Sequence, residues 1–88
     1  MPVHARRKEI LNRLSRIEGH THAVKTMVLE GKSCKEILTQ IAAVRSALFK
    51  VGKILLQDNM DACVLEAART GKLPEAFQEL LTAVERFT

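Results

Sequence analysis

Apolar positions along this chain recur at steps of three and four, and no stretch alternates residue by residue as a strand would. In the first segment Ile10, Leu14, Ile17, Val24 and Val28 share a helical stripe. It stops at Glu30-Gly31, where glycine suits the position just beyond a helix end. Ser33 follows as a candidate N-cap, with Glu36 completing a capping-box pattern. From Cys34 to about Arg69 there is no proline and Gly52 is the lone glycine, so the spacing predicts one long second helix. One of its stripes runs through Cys34, Ile37, Ile41, Val44, Leu48, Val51, Leu55, Asp58, Ala62 and Leu65. A second runs beside it through Leu38, Ala42, Arg45, Phe49, Leu56, Asn59 and Cys63. Two adjacent stripes make a face as wide as those at the centre of a helical bundle. Thr70-Gly71-Lys72-Leu73-Pro74 reads as a stop and restart, with Pro74 in the first turn of a third helix. Ala76, Phe77, Leu80, Leu81, Val84 and Phe87 are the expected buried face of that helix. The fold class is all-α, a three-helix protomer with one long central helix.

Eighty-eight residues without internal repeats form a single domain, residues 1–88. A chain this short buries only about 60–65% of its surface alone, so oligomerisation is expected. With 47% hydrophobic and 27% charged residues, disorder is excluded. Charges interrupt every apolar run before the ~18 residues of a membrane span, and the basic start has no apolar segment behind it. A cytoplasmic protein with no membrane partner is therefore expected. Three Phe, with no Trp or Tyr, argue against a stacking surface for single-stranded nucleic acid. Charge is lopsided: residues 1–53 carry eleven basic and four acidic side chains, residues 54–88 three and six. The basic part points to a polyanionic partner.

Cys34 and Cys63 stand 29 residues apart on what reads as one helix. That is about 43 Å at ~1.5 Å per residue, whereas a disulfide needs Cα atoms within about 7 Å. The two cannot pair within a chain unless the helix breaks. If two copies pack antiparallel, Cys34 of one lies near Cys63 of the other, and the twofold makes two such sites. Cys34 sits in the first helical turn between Lys32 and Lys35, where dipole and ammonium charge favour a thiolate. Cys63 has Asp61 and Glu66 nearby. One activated thiol facing an ordinary one is the arrangement of an attacking and a resolving pair. The alternative is that both are small buried hydrophobes. Asn59 lies one turn before Cys63 on the same face. A His there would give two thiolates and an imidazole, suited to copper(I), but Asn is a poor ligand for a soft metal. His4, His20 and His22 all fall in the first segment and read as solvated surface residues.

RLSRIEGH (residues 13–20), GKSCKEILTQIAAVRSAL (31–48) and DNMDACVLEAA (58–68) resemble the copper-sensitive operon repressor (CsoR/RcnR) family over nearly the whole chain. The block with Cys34, Gln40, Ala43 and Arg45 is the most specific part. The resemblance implies an antiparallel dimer forming a four-helix bundle and a flat dimer of dimers, a homotetramer. It also implies a transcriptional repressor that binds double-stranded operator DNA without a helix-turn-helix. In such proteins a sensing site straddles two protomers, at the positions of Cys34 in one and of Asn59 and Cys63 in the other. Copper sensors of the family read Cys-His-Cys at these positions, and nickel or cobalt sensors Cys-His-His with an N-terminal His. Cys-Asn-Cys is similar to the persulfide-sensing branch, the CsoR-like sulfurtransferase repressors (CstR). That likeness implies a low-molecular-weight persulfide or other sulfane sulfur as inducer. Cys34 and Cys63 are then the redox-sensing pair, Asn59 lines the site, and there is no metal or cofactor. One alternative is a copper(I)-sensing repressor using the same two cysteines as metal ligands. Another is a sensor of formaldehyde or a different electrophile, built on the first Cys and an exposed Pro2 amine. The register of Pro2 is one residue off for that, and Cys63 goes unexplained. His20 stands where the family usually has Gln.

Arg6, Arg7, Lys8, Arg13 and Arg16 crowd the first helix, and Arg13, Arg16 and His20 share one face. Arg45, Lys50 and Lys53 add charge to the middle of the second. The resemblance puts the positions of Arg13 and Arg45 on the DNA face. Arg16, Lys50, Lys53, Arg6 and Arg7 complete the candidate set. Arg45 has a competing structural reading, since it lies in an apolar stripe where it would hold a buried acid. Phosphate neutralisation makes binding fall steeply with salt, and shape recognition is expected over base readout. No enzyme is expected: a small helical mutase needs several cations converging in the interior, and only Arg45 qualifies. A plain helical interaction module with inert cysteines is the remaining rival, separated by gel shift on promoter DNA and by thiol reactivity.

Overall fold

The computed structural model describes residues 6–88, which form α1 (Arg7–Leu29), α2 (Cys34–Thr70) and α3 (Glu75–Phe87), with no strand among the described residues. Local chemistry sets each boundary. After α1, Gly31 takes a left-handed φ of 71°, and the N–H groups of Gly31 and Lys32 donate to Val28 and Met27 carbonyls at 3.1 and 3.0 Å. Ser33 is the N-cap of α2, its Oγ accepting from the Glu36 N–H at 3.1 Å. Gly71, at φ 79°, closes α2 with its N–H on the Ala67 carbonyl at 2.8 Å. Pro74 lies one position before the expected first turn. Its ψ of 153° keeps it extended as the N-cap of α3. A ring that supplies no N–H costs nothing there, and its carbonyl accepts from Phe77 N at 3.0 Å.

α1 lies along the middle of α2. Ile10 and Ile17 meet Val51, with Leu14, Val44, Ala47, Ile54 and Leu55 packed around them. The stripe of α1 is thereby confirmed at its centre, while Val28 at its end is exposed. The broad apolar face of α2 is mostly open: Leu38, Ile41, Leu48 and Phe49 are exposed, and of its two stripes only Val51 and Cys63 are buried.

The expectation of a buried face on α3 is corrected. No residue of α3 is buried: Phe77, Leu80 and Val84 are half-buried, Ala76, Leu81 and Phe87 exposed. One protomer offers α3 a single wall, and a helix touching one wall keeps part of its apolar stripe in water. The end of α3 is held by Phe87, whose ring stacks on Phe49 at 5.0 Å between centroids and 10° between planes. Gly52 makes room for it, since a β-carbon at that position would collide with the Phe87 ring. The lone glycine of α2 thus has a packing reason.

The molecule is a slab of 58 × 26 × 14 Å. Its thin dimension is little more than one helix diameter of ~10–12 Å. No helix of the described residues is long and apolar enough to cross a membrane.

Candidate functional site

Because α2 is continuous from Cys34 to Thr70, the two thiols are carried at opposite ends of one rod. Cys34 is the first residue of α2 and is exposed; Cys63 is buried at 7% exposure; both are free thiols. Within one chain they cannot meet. Asn59, one turn before Cys63, is half-buried and turns its amide back on its own helix, Nδ2 donating to the Leu55 carbonyl at 2.9 Å. The carboxylates near Cys63 are engaged elsewhere. Both Glu66 carboxylate oxygens accept from Arg69 Nη2, at 2.8 and 2.9 Å, and Asp61 accepts from Gln57 Nε2 at 3.2 Å.

Among the described residues no group of three or more His, Cys, Asp and Glu side chains gathers to hold a metal ion. Two thiolates suit copper(I) by softness, and the neutral Asn59 amide adds no soft donor. Pro2 and His4 lie outside the described residues. His22 is exposed, as expected. His20 is not a solvated surface residue: it is half-buried, with Nε2 2.7 Å from Gln40 Oε1, tying α1 to α2. At the spacing of Arg13 and Arg16 it sits at the edge of the α1–α2 seam, which is why it finds a partner there.

Five of the candidate basic residues, Arg6, Arg13, Arg16, Lys50 and Lys53, line two concavities that share Arg13. Arg6, Arg13, Lys50 and Lys53 line a concavity of ≈ 310 Å³ with Ile54 and Gln57. Arg13, Arg16 and His20 line another, of ≈ 170 Å³, with Ile17 and Ala47. Arg13 belongs to both and makes a 3.2 Å ion pair with Glu9 one turn earlier. Arg7 is exposed at the start of α1. Arg45 lies on neither concavity. It lines a groove of ≈ 1100 Å³ with Ile41, Leu48, Phe49, Lys50 and Phe87. It is exposed in the protomer, on the same open face of α2 as Ile41, Leu48 and Phe49. At ~100° per residue Arg45 and Lys50 point about 140° apart, with Lys53 between them. Lys50 and Lys53 therefore border both the groove and the basic concavity.

Sequence reasoning did not find three contacts between elements. These are the His20–Gln40 bond, the Phe49–Phe87 stack, and the Arg6 N–H donating to Asp58 Oδ2 at 3.3 Å. Each joins residues 20 to 52 positions apart, and no local pattern signals them.

Comparison with known proteins agrees with this architecture. A family model described as metal-sensitive transcriptional repressor matches residues 6–86. The copper-sensing transcriptional repressor CsoR of Bacillus subtilis (strain 168) is 40% identical over 80 residues, 91% of this chain and 79% of that protein. Among solved structures, the nickel-responsive transcriptional regulator InrS is 47% identical with a TM-score of 0.82, covering 92% of this chain and 91% of that one. The copper-sensing repressor CsoR with Cu(I) from Geobacillus thermodenitrificans NG80-2 is 35% identical with a TM-score of 0.85, covering 99% and 92%. Nothing in these likenesses singles out the persulfide-sensing branch, and the copper-sensing alternative is the nearer of the two. A three-helix chain matched from Arg6 to Arg86 by one family model, and over nearly its full length by two of the family's structures, belongs to the metal-sensitive transcriptional repressors of the CsoR/RcnR family.

Proposed function

We propose that this chain is a DNA-binding repressor that binds through the basic face of α1 and α2 and releases DNA when a thiophilic inducer joins Cys34 of one protomer to Cys63 of another. One observation carries the reading: α2 is unbroken, with Cys34 exposed at its start and Cys63 29 residues further on. The pair works only across two chains. The open apolar face of α2 supplies the surface on which a second copy packs antiparallel, and a homotetramer follows from pairing two such dimers.

Copper(I) is the inducer supported by the curated relatives, which are named for copper sensing. Cys34 and the second copy's Cys63 would hold it, and a soft ion bridging two thiolates supplies a crosslink between protomers. What the chain itself contributes is the placement of one thiol at a helix start and one within α2. By linkage, the bridged state must bind DNA less well, and a few kcal/mol suffice.

Asn59 favours a second reading, in which the inducer is a persulfide. The site lacks the third soft or imidazole donor, and Asn59 spends its amide on Leu55. Here the Cys34 thiolate takes the outer sulfur of glutathione persulfide, releasing glutathione. Cys63 of the second copy then attacks Cys34 Sγ, forming the disulfide and releasing sulfide.

The test follows anisotropy of a labelled duplex taken from upstream of the chain's own gene. Reduced protein receives either copper(I), against a competing chelator, or glutathione persulfide, and its mass is read in parallel. Stoichiometric copper(I) with DNA release supports the first reading. A crosslinked dimer with DNA release under persulfide alone supports the second. Cys34→Ala is expected to bind DNA and to ignore either inducer; a Cys34→Ala protein that still lets go overturns both.

A further inference from the structure

The end of α3 reaches the candidate DNA face through an aromatic relay. Phe87 stacks on Phe49, with centroids 5.0 Å apart and planes 10° off parallel. Lys53, one turn beyond Phe49 on α2, places its Nζ 5.2 Å from the centroid of the Phe49 ring. A ring face carries the negative part of the aromatic quadrupole and attracts an ammonium held over it. Lys53 also lines the concavity shared by Arg6, Arg13 and Lys50.

Two features make this arrangement more than a chance approach. Gly52 sits in the interior of a 37-residue helix, where glycine is unfavourable relative to alanine. The space it leaves is filled by the Phe87 ring, which a β-carbon would strike. Within the protomer Phe49 is 43% exposed, and the Phe87 ring is its stacking partner. A lysine side chain free in water samples many rotamers, and ordering it has an entropic cost that a preformed arrangement reduces.

We propose that Phe87 is a positioning residue for DNA binding: through Phe49 it sets where the Lys53 ammonium stands on the basic face. The inference rests on the reading of that face as DNA-binding, with Lys53 among the residues that meet phosphate. α3 then contributes to DNA affinity without touching DNA, and a movement of α3 against α2 changes the electrostatic part of binding.

The test measures binding of a fluorescein-labelled mixed-sequence duplex to the full-length chain over a series of salt concentrations. Phosphate neutralisation does not depend on sequence, and the slope of log K against log salt falls by about 0.9 for each phosphate that the protein ceases to neutralise. Lys53→Gln is expected to lower the slope by about that amount for each Lys53 that meets a phosphate. Phe87→Ala and Gly52→Ala are each expected to lower it in the same direction, and Phe87→Tyr, which keeps the stack, to preserve it. Gly52→Ala removes no side chain and improves helix propensity, so its effect is not that of a chain failing to fold. In the Lys53→Gln background, Phe87→Ala should change the slope no further. The inference is overturned if Phe87→Ala lowers the slope equally in that background. It is also overturned if Phe87→Ala and Gly52→Ala leave the slope intact while Lys53→Gln lowers it. A Lys53→Gln protein with an unchanged slope overturns the inference together with the place of Lys53 on the DNA face. Arg13→Gln in the same series then shows whether the face as a whole fails.

Discussion

Cys34 and Cys63 are the same side chain in opposite settings, one exposed at a helix start and the other 7% exposed. Alkylation of the reduced protein should therefore modify Cys34 well before Cys63, read by mass spectrometry of the peptides. Equal rates would mean that Cys63 opens in solution. The burial also implies that the side of α2 around Cys63 must yield for a second thiol to reach it. At Asn59 the question is donor chemistry. Asn59→His places an imidazole beside Cys63, and copper(I) affinity should rise by more than about tenfold, equivalent to ~1.4 kcal/mol. Competition with a copper(I) chelator measures it, and an unchanged affinity would mean that two thiolates already complete the ligand set. At this scale the sequence is legible where identity alone matters: which residues are thiols, cations and amides. It is not legible for His20 or Arg45. Their surroundings depend on how the helices lie against one another: the structure ties His20 to Gln40, against the expectation of a solvated ring, and sets Arg45 on the groove of Ile41, Leu48 and Phe49, off the concavity of Arg6 and Arg13.

The elements are legible almost to the residue because their ends are local. Ser33 bonds the third N–H beyond it, and Gly31 and Gly71 adopt left-handed φ that other residues resist. Ser33→Ala should cost about 1 kcal/mol and loosen the turn that begins with Cys34. Urea unfolding at fixed protein concentration measures the loss, and a cost near zero would mean that the assembly holds the turn by itself. Ile17→Ala removes a residue at the centre of the α1–α2 seam, packed with Ile10 and Val51. It should cost about 2–5 kcal/mol in the same assay, and it should weaken DNA binding, since α1 carries Arg13 and Arg16. Pro74 and α3 are the exceptions at this scale. The break before α3 is encoded in Gly71 and Pro74, but the depth to which α3 is buried depends on the walls it meets.

For its mass the protomer is too thin and has too much surface. Its radius of gyration is 17.3 Å, against roughly 12 Å for a compact chain of this length. Its accessible area is 7017 Å², against about 5,200 Å² from the scaling for folded monomers. The surplus of roughly 1,800 Å² per chain lies in the range of obligate interfaces once both sides are counted. The exposed residues Leu38, Ile41, Leu48 and Phe49 are where that surplus is most apolar. Ile41→Asp should break the assembly into smaller species by sedimentation, since a carboxylate in a closed apolar interface costs several kcal/mol. The melting temperature of the unsubstituted chain should rise with protein concentration, as for any state stabilised by association. A concentration-independent value, with Ile41→Asp still fully assembled, would move the interface elsewhere.

By itself the sequence determined the helices, their ends, the placement of the thiols on one continuous rod and the stock of basic side chains. All of these follow from backbone propensity, capping and the ~1.5 Å rise of a helix, which act over a few residues. The convergence of Arg6, Arg13, Lys50 and Lys53, the separate place of Arg45 on the neighbouring groove, the bond between His20 and Gln40, and the Phe87 ring above Gly52 came from the packing of the helices. Those facts depend on how one helix is rotated against another. Rotation is settled by close packing between residues far apart in the chain, and a periodic pattern names the face of a helix without naming its neighbour.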